Sequence, residues 1–417
     1  MPPRARQKPK PRRRIGLALA GGGPEGAVYE IGALRALDEA LDGLNLQDAD
    51  IYVGVSAGAF IASSLANDIT TVQLVRALVK HEPGEHPFVP QTFFTPNYRE
   101  WARRSIMLPR LFADAMLEFR RGPEEQTLFE SLTRLTRALP IGLFDNRPIQ
   151  RYLERTFTIK DRTDDFRKLR HKLIVVAADL DSGRPILFGG EGWDHVPISV
   201  AVQASTAVPG FYPPVEVDGR SCVDGILLKT LHASVALDTG VDLLVCVNPM
   251  VPADIRGAVS DGRLREGALL RKGLPTVLSQ TIRTLIHSRL EVGMAAYRTR
   301  YPDSEVLLFQ PARDEFDLFF SNIFSFRSRR RVVEQAYQAT RRDLWARRHE
   351  LKPQLARHGI TLREDLLSAP RDVWMSVGLD HFSERDPVTS EFEAALGRLE
   401  VAVTGEYRLP PPSLPRR

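Results

Sequence analysis

A serine lies within a run of small residues in the first part of the chain. The segment Asp50–Ala62 reads as a short apolar strand, a turn and the start of a helix, and it contains the spacing Gly54-x-Ser56-x-Gly58. This is the pattern of a nucleophile elbow, in which small residues on both sides of the serine let strand and helix meet closely. We expect the turn to hold the Ser56 hydroxyl clear of the backbone and exposed to solvent. The same pattern also occurs in turns that have no catalytic role, so other residues are needed to show whether Ser56 is a nucleophile.

A glycine-rich loop precedes the elbow. It follows a predicted strand over residues 15–20 and leads into a predicted helix over residues 27–41, and its glycines are Gly21, Gly22, Gly23 and Gly26. Free amides at a helix N-terminus bind anions, so the loop could hold a pyrophosphate or an oxyanion. A dinucleotide site needs an acidic residue at the end of the second strand. That strand ends in Gly54-Val55-Ser56, which disfavours NAD and favours acyl transfer with the loop amides as oxyanion donors.

A serine hydroxyl becomes a good nucleophile only when a base takes its proton. Histidine is the usual base, and His195, His232 and His287 are the best placed, but none has an accompanying motif. Asp224 is the stronger candidate because it follows an apolar strand, precedes Gly225 and comes after a hairpin with an Asp-Gly turn. A carboxylate is a weak base at its ordinary pKa of about 4, and burial would raise that pKa. Taken alone, the Asp-Gly pair also reads as an ordinary tight turn.

The hydrophobic pattern predicts the elements that position these groups. Continuous apolar runs, typical of strands inside a parallel sheet, occur at residues 15–20, 51–55, 171–179, 243–247 and 305–309. The first strand, the glycine loop, its helix and the elbow strand form a βαβ unit with a right-handed crossover. The sequence therefore predicts an α/β fold with a mainly parallel sheet.

Other segments flank or interrupt this fold. Residues 1–14 hold seven basic residues and no acid, and their prolines predict a disordered tail. The insertion at about 67–145 is predicted to be helical and rich in Phe, Leu and Met; it reads either as a lid over an apolar cleft or as ordinary amphipathic helices. We place a catalytic domain at 15–330, a helical extension at 331–405 and a disordered Pro-rich tail at 406–417.

Composition limits which cellular compartment and which binding partners we expect for the protein. Cys222 and Cys246 are too few for a disulfide framework, and no Cys/His spacing indicates zinc, so we expect no metal and no cofactor. No stretch reaches the roughly 18 apolar residues of a membrane-spanning helix. The short apolar run after Arg12–Arg14 leads into the glycine loop, so it is not interpreted as a secretion signal. We expect a cytoplasmic protein, peripheral at the inner membrane face, without a nucleic-acid partner.

Several motifs, in this order, resemble those of the patatin-like phospholipases. The resemblance covers roughly residues 15–345. The matching segments are the glycine loop Gly21–Gly26, the elbow Gly54–Gly58, the turn Asp179–Gly183, the segment Ala204–Pro214, similar to the family's Ala-Ser-x-Ala-x-Pro, and Asp224-Gly225. Together these motifs are much more specific than any one of them.

The resemblance implies both a fold and a reaction. The fold would be a three-layer α/β/α sandwich with a mainly parallel central sheet, a helical insertion and C-terminal helices. The reaction would be calcium-independent hydrolysis of lipid acyl esters through an acyl-enzyme. Ser56 would be the nucleophile, Asp224 the base and the glycine-loop amides the oxyanion donors, while Gly54, Gly58 and Gly225 would support the motifs. The chain departs from the family at Glu25, where Lys or Arg is usual, and at Ile226, where a small residue is usual.

Two other functions remain open from the sequence. One is a dinucleotide-binding protein that uses the loop Gly21–Gly26, and the other is a non-catalytic lipid-binding module in which Glu25 marks a site that no longer catalyses. Phe-rich stretches at 88–94 and 316–326 would hold an acyl chain or meet a membrane surface.

Overall fold

A computed structural model gives the structure of the protein and describes residues 13–79, 94–106, 109, 139–313 and 326–379. Most of the basic tail and of the predicted insertion, nearly all of the two Phe-rich stretches and the Pro-rich tail lie outside the described residues. By internal contacts the chain forms two compact units, residues 1–373 and 374–417, and the second is described only over 374–379.

The described strands alternate with helices along most of the chain. The strands are β1 Ile15–Leu19, β2 Leu41–Asp42, β3 Ile51–Val55, β4 Lys172–Asp179, β5 Pro185–Phe188, β6 Val215–Val217, β7 Arg220–Asp224, β8 Leu243–Val247, β9 Glu305–Phe309 and β10 Thr361–Leu362. The helices are α1 Gly23–Ala40, α2 Ala57–Ala66, α3 Thr71–Val79, α4 Arg147–Phe157, α5 Ile198–Ser205, α6 Ala233–Leu237, α7 Ile255–Ser260, α8 Ala268–Arg271, α9 Leu274–Arg300, α10 Phe326–Ala346, α11 Arg348–Arg357, α12 Glu364–Ser368 and α13 Val373–Ser376; residues 98–106 are also helical.

Within the described residues the central sheet has eight strands; hydrogen bonds connect seven of them in the sequence β6-β7-β4-β3-β1-β8-β9, and β5 also pairs with β4. Strands β4, β3, β1, β8 and β9 are parallel neighbours, whereas β5, β6 and β7 add antiparallel pairs at one end. Strands β2 and β10 form a separate antiparallel pair. The predicted fold class, α/β with a mainly parallel sheet between helices, is confirmed. Strand β5 is an addition that the sequence pattern did not predict.

Helices cover both faces of the sheet because the strand side chains that point to either face are apolar. On one face, Val53, Val55 and Val176 join a buried cluster with Ile286 and Leu290 of α9 and with residues of α6. On the other face α1, α2 and α5 pack against the strands. Among the described residues, no helix is both long enough and apolar enough to cross a membrane.

Helix α10 packs closely against α1, the helix that carries the glycine loop at its start. Gly32 lies at the crossing, and a Cβ atom placed there would meet the carbonyl oxygen of Val333 and, at 2.9 Å, the Cβ of Ala336. Val333 and Tyr337 are fully buried in this contact region. Because the α10 backbone itself lies against Gly32, only glycine fits at this position without moving α10.

We expect Gly32→Ala and Gly293→Ala to change stability in opposite directions. At Gly32 the added methyl group overpacks the α1–α10 contact, which costs about 1–3 kcal/mol. At Gly293, within α9, the nearest side-chain atom is 3.9 Å from the new Cβ. Alanine should therefore stabilise that helix by about 0.5–1 kcal/mol. Urea denaturation of the two variants measures both effects, and equal midpoints would contradict the assigned close packing at Gly32.

Candidate active site

The elbow serine and the candidate base are brought together by a single edge of β4. Strand β3 runs along this edge and pairs Val55 with Val176. Strand β7 runs in the opposite direction and pairs Asp224 with Ala177. Strand β5 pairs with residues 175–178 of β4 and therefore occupies its other edge, which places β3 and β7 on the same edge. The two strands therefore end one residue apart along β4. Ser56, which follows β3, and Asp224, which ends β7, meet at that point.

The turn at Ser56 has the geometry of a nucleophile elbow. Ser56 has φ 54° and ψ −122°, a conformation that a residue with a side chain adopts only when its surroundings enforce it. A Cβ at Gly54 would lie 2.5 Å from the Cα of Ala59, and one at Gly58 would meet the Leu19 carbonyl oxygen. The two glycines are therefore required where strand β3, helix α2 and strand β1 come together.

A buried serine on α5 holds the elbow in place. The Ser56 amide donates to the Ser205 hydroxyl oxygen at 2.8 Å, and that hydroxyl donates to the Val176 carbonyl at 2.6 Å. Two residues further on, the Ala207 carbonyl accepts from the Asp224 amide at 3.0 Å. The segment 205–207 thus fixes the backbone at both Ser56 and Asp224. Sequence reasoning noticed this segment but gave Ser205 no role, because hydrogen bonds across elements leave no local pattern.

The Asp224 carboxyl is buried next to Ser56. Its Oδ1 accepts from the Ile226 amide at 2.9 Å. Among the described residues, no group lies within standard hydrogen-bond geometry of Oδ2. Burial raises the pKa of Asp224 to about 7, although hydrogen bonding from the Ser56 hydroxyl and the Ile226 amide opposes this shift. The hydroxyl therefore lies beside the carboxyl in a looser arrangement than a standard hydrogen bond.

Gly225 and His232 support the chain directly after Asp224. A Cβ at Gly225 would lie 2.5 Å from the Val176 carbonyl oxygen, so glycine allows β7 to end close to β4. The His232 Nε2 lies 3.1 Å from the Gly225 carbonyl oxygen. Burial lowers the pKa of His232 to about 4, so the neutral ring donates to that carbonyl. The other two histidines contact carboxyl groups: His195 Nε2 lies 2.8 Å from Asp218 Oδ2, and His287 Nε2 lies 3.2 Å from Glu291 Oε1.

The glycine loop is shorter than the sequence suggested because α1 begins at Gly23. The Gly26 amide donates to the Gly22 carbonyl at 3.0 Å, so it takes part in the first helical turn and is not free to bind an oxyanion. No hydrogen bond within the described part of the chain uses the amides of Gly21, Gly22 or Gly23. A Cβ at Gly21 would lie 2.9 Å from the Ser56 Cβ, which places the loop directly beside the elbow.

The charge of Glu25 is offset from within the protein. Burial raises the pKa of Glu25, while its own backbone amide and the Arg283 guanidinium oppose the shift. Arg283, on α9, is buried and donates to the carbonyls of Pro249 and Val251 at 3.4 and 3.5 Å. The Pro249 ring lies against the loop, since its Cγ would be 2.7 Å from a Cβ at Gly22. Sequence reasoning considered Glu25 but could not predict the distant Arg283.

The sequence predicts a solvent-exposed Ser56 hydroxyl, and this prediction is wrong. Ser56 is only 4% exposed, and Asp224 is fully buried. The Ile226 side chain contributes to the cover, because its Cδ1 would be 2.7 Å from a Cβ at Gly21, next to Ser56. The elbow conformation itself was predicted, but the neighbouring side chain that covers it comes from a distant part of the sequence.

No metal site accompanies these groups in the described residues. No three side chains of His, Cys, Asp or Glu within them are close enough to bind an ion. Cys222 and Cys246 are both buried free thiols.

A sequence model of the patatin-like phospholipase family matches residues 17–237, slightly more than half of the chain. The chain belongs to the patatin-like phospholipase family. The matched region contains the glycine loop, the elbow, the segment 205–207 and Asp224. Members of this family are lipid hydrolases, so the family and the chemistry available at the site agree.

Relatives of this patatin-like chain match it over short stretches. Uncharacterized NTE family proteins of Mycobacterium bovis and Mycobacterium tuberculosis are 36% identical to it over 74 residues, which cover 18% of this chain and 19% of theirs. The match therefore spans about a fifth of the length of these relatives.

Two solved structures are similar to the patatin-like chain at low identity. VipD from Legionella pneumophila is 14% identical, with 81% of this chain and 67% of that chain covered and a TM-score of 0.34. The type III effector protein ExoU of Pseudomonas aeruginosa is 13% identical, with 94% and 63% covered and a TM-score of 0.33. With such low scores, the fold assignment rests on the sheet itself and on the family match.

We expect Ser205→Ala to destabilise this patatin-like protein by about 1–3 kcal/mol, because it leaves the buried Ser56 amide and Val176 carbonyl without their partner. Ser63→Ala is a matched control on α2. The Ser63 hydroxyl is also buried, but it donates only to the Phe60 carbonyl within the same helix. Its loss should cost less than about 1 kcal/mol. Urea denaturation measures both, and equal losses would refute the bridging role of Ser205.

Proposed function

We propose that the protein hydrolyses fatty-acyl esters of lipids, with Ser56 as nucleophile and Asp224 as general base. The observation that carries the proposal is the meeting of a strained elbow serine with a buried carboxyl whose Oδ2 has no standard hydrogen bond among the described residues. A hydroxyl becomes nucleophilic when a base within reach takes its proton. The Asp224 carboxyl, with its raised pKa, is such a base.

The reaction begins when the Ser56 oxygen attacks the ester carbonyl and its proton passes to Asp224. The carbonyl oxygen becomes negatively charged in the tetrahedral intermediate. The carbon–oxygen bond to the leaving alcohol then breaks, and the alcohol takes the proton from Asp224. Water attacks the resulting acyl-enzyme, Asp224 accepts a proton from this water, and the fatty acid leaves as Ser56 regains its proton.

The oxyanion is stabilised by the amides at the start of α1. Pro24 has no N–H, Glu25 engages its own amide, and the Gly26 amide donates to Gly22. This leaves the amides of Gly21, Gly22 and Gly23 as the available donors, and Gly21 lies directly beside Ser56. Amides at a helix N-terminus also carry the positive end of the helix dipole, which favours a developing negative charge.

The two alternative functions fit the site less well. A dinucleotide pyrophosphate would have to approach the glycines closely, but the Pro249 ring already lies against Gly22 and Gly26. A non-catalytic lipid-binding protein would have no need for the strained conformation of Ser56, which costs about 1–3 kcal/mol. We therefore retain hydrolysis, and with it a peripheral location at the inner membrane face, where a lipid ester is available.

We expect a fluorophosphonate probe to label the wild-type protein and not Ser56→Ala, because the probe reacts with an activated serine. Ser63→Ala, which removes another buried hydroxyl from the same segment, should label as strongly as the wild type. Labelling is read on a gel with the folded state confirmed by circular dichroism. A folded wild-type protein that does not label would refute the catalytic role of Ser56 and favour the lipid-binding alternative.

The pKa of Asp224 predicts how the rate depends on pH. The base must be ionised, and its pKa is raised to about 7. The value of kcat/KM for a short-chain ester should therefore rise with pH, fall about tenfold per unit below pH 7 and level off above it. Asp224→Asn should lose about 100-fold to 10,000-fold in rate across the range. A flat profile between about pH 5 and pH 8 would instead exclude Asp224 as the titrating base.

A further inference from the structure

Helix α9 has two contrasting faces. Its inner face contributes Ile286 and Leu290 to the core of the sheet, together with the buried Arg283 and His287. On the outer face, large apolar side chains recur every three, four or seven residues, so they share one stripe. We call this set the outer stripe of α9; it consists of Leu274, Leu278, Ile282, Leu285 and Val292.

The outer stripe is unusually exposed for its composition. Leu278 is 49% exposed, Leu285 is 62% and Val292 is 70%. Between Leu274 and Tyr297 the exposed charged residues are Arg289 and Glu291, and the remainder of the outer face is Leu, Ile, Val, Ala, Thr and Ser. A surface helix of a globular protein normally directs charged residues to solvent. An exposed apolar stripe of this length marks an interaction surface.

Basic residues lie at both ends of the stripe. Arg271 and Lys272 precede α9, and Arg298 and Arg300 end it, all of them exposed. An apolar helix face flanked by basic residues is the pattern of a helix that lies in the interface of a membrane. Anionic headgroups would complement both ends at once.

The same charges argue against a second copy of the chain as the occupant. If two copies met along their stripes, either helix direction would place a basic end against a basic end. Like charges brought together in this way oppose association. A lipid surface with negative headgroups carries no such penalty.

The outer stripe lies next to the proposed active site. The Gln280 side chain exchanges hydrogen bonds with the backbone of Ala253, in the loop that follows β8 at the carboxyl edge of the sheet. Arg289 donates to the Leu227 carbonyl at 2.9 Å, three residues after Asp224. Leu227 is itself 43% exposed. A surface that contacts the stripe would therefore lie close to the edge at which Ser56 and Asp224 meet.

We propose that the outer stripe of α9 docks on an anionic lipid bilayer and brings the carboxyl edge of the sheet to the membrane. This inference rests on the proposed function, in which the substrate is a lipid ester. The apolar side chains enter the headgroup region, and the basic ends of the helix bind anionic headgroups.

The test is flotation of the full-length chain carrying Ser56→Ala with lipid vesicles. This background prevents lipid hydrolysis from changing the vesicles. The vesicles are phosphatidylcholine alone or phosphatidylcholine with about a third phosphatidylglycerol. We expect binding to the anionic vesicles that weakens with added salt. Adding Leu278→Glu and Leu285→Glu together should lower the partition coefficient by about tenfold or more, because two charges would have to enter the interface.

Ile159→Glu is the matched control, and it should bind vesicles as strongly as the background protein. Ile159 is 37% exposed. Ile159 lies four residues before Thr163, whose amide donates to the Asn67 side chain. Asn67 follows the C-terminus of α2, whereas Ser56 precedes its N-terminus, so this region lies at the end of the sheet opposite Ser56. Thermal melting checks the fold of every variant. Should the double Glu variant be unstable, Leu278→Gln with Leu285→Gln gives the same comparison with a smaller change.

Two outcomes would overturn the proposal. One is an equal partition coefficient for the double variant and Ile159→Glu. The other is that light scattering shows a dimer for the background protein and a monomer for the double variant, and that neither protein binds vesicles. This result would assign the stripe to contact with a second copy of the chain. Vesicle binding does not depend on turnover, and fluorophosphonate labelling reads the serine separately. Failure of the docking surface and failure of the proposed hydrolysis can therefore be told apart.

Discussion

The backbone hydrogen bonds along one edge of β4 determine the geometry of the whole site. They hold β3 as far as Val55 and β7 as far as Asp224, so the two strands end against neighbouring residues of the same partner. Ser205 adds a second constraint at this point, because its hydroxyl joins the Ser56 amide to the Val176 carbonyl. The strained backbone at Ser56 and the buried position of the Asp224 carboxyl are stable only because this edge fixes the backbone on both sides of them.

Burial gives the ionisable groups around this edge their properties. It raises the pKa of Asp224 towards neutrality and lowers that of His232, so both become neutral more readily than they would in water. At the glycine loop the same effect acts on Glu25, and the buried Arg283 moderates it from α9. The positive charge that acts on the glycine loop therefore comes from a different element, α9. Its position depends on how α9 packs over Pro249.

The parts of the site that follow from local sequence could be predicted. Apolar runs identify the strands, and small residues around Ser56 identify the elbow, because each depends on neighbours in the chain. The start of α1 at Gly23, the cover provided by Ile226 and the bridge made by Ser205 could not be predicted in the same way. The cover and the bridge depend on contacts between residues far apart in sequence, whereas the helix start is formed by the local Gly26–Gly22 hydrogen bond in a glycine-rich segment whose composition predicts a loop. The Phe-rich stretches and most of the predicted insertion lie outside the described residues, and their roles stay predictions.

The close crossing of α1 and α10 joins the segment matched by the family model to a part of the chain outside it. Helix α10 lies beyond residue 237, where the family match ends, yet its Val333 and Tyr337 are buried and its backbone touches Gly32. The region that homology recognises is therefore smaller than the unit that folds. A substitution in α10 at this contact would press on α1, and through it on the glycine loop beside Ser56, from outside the matched segment.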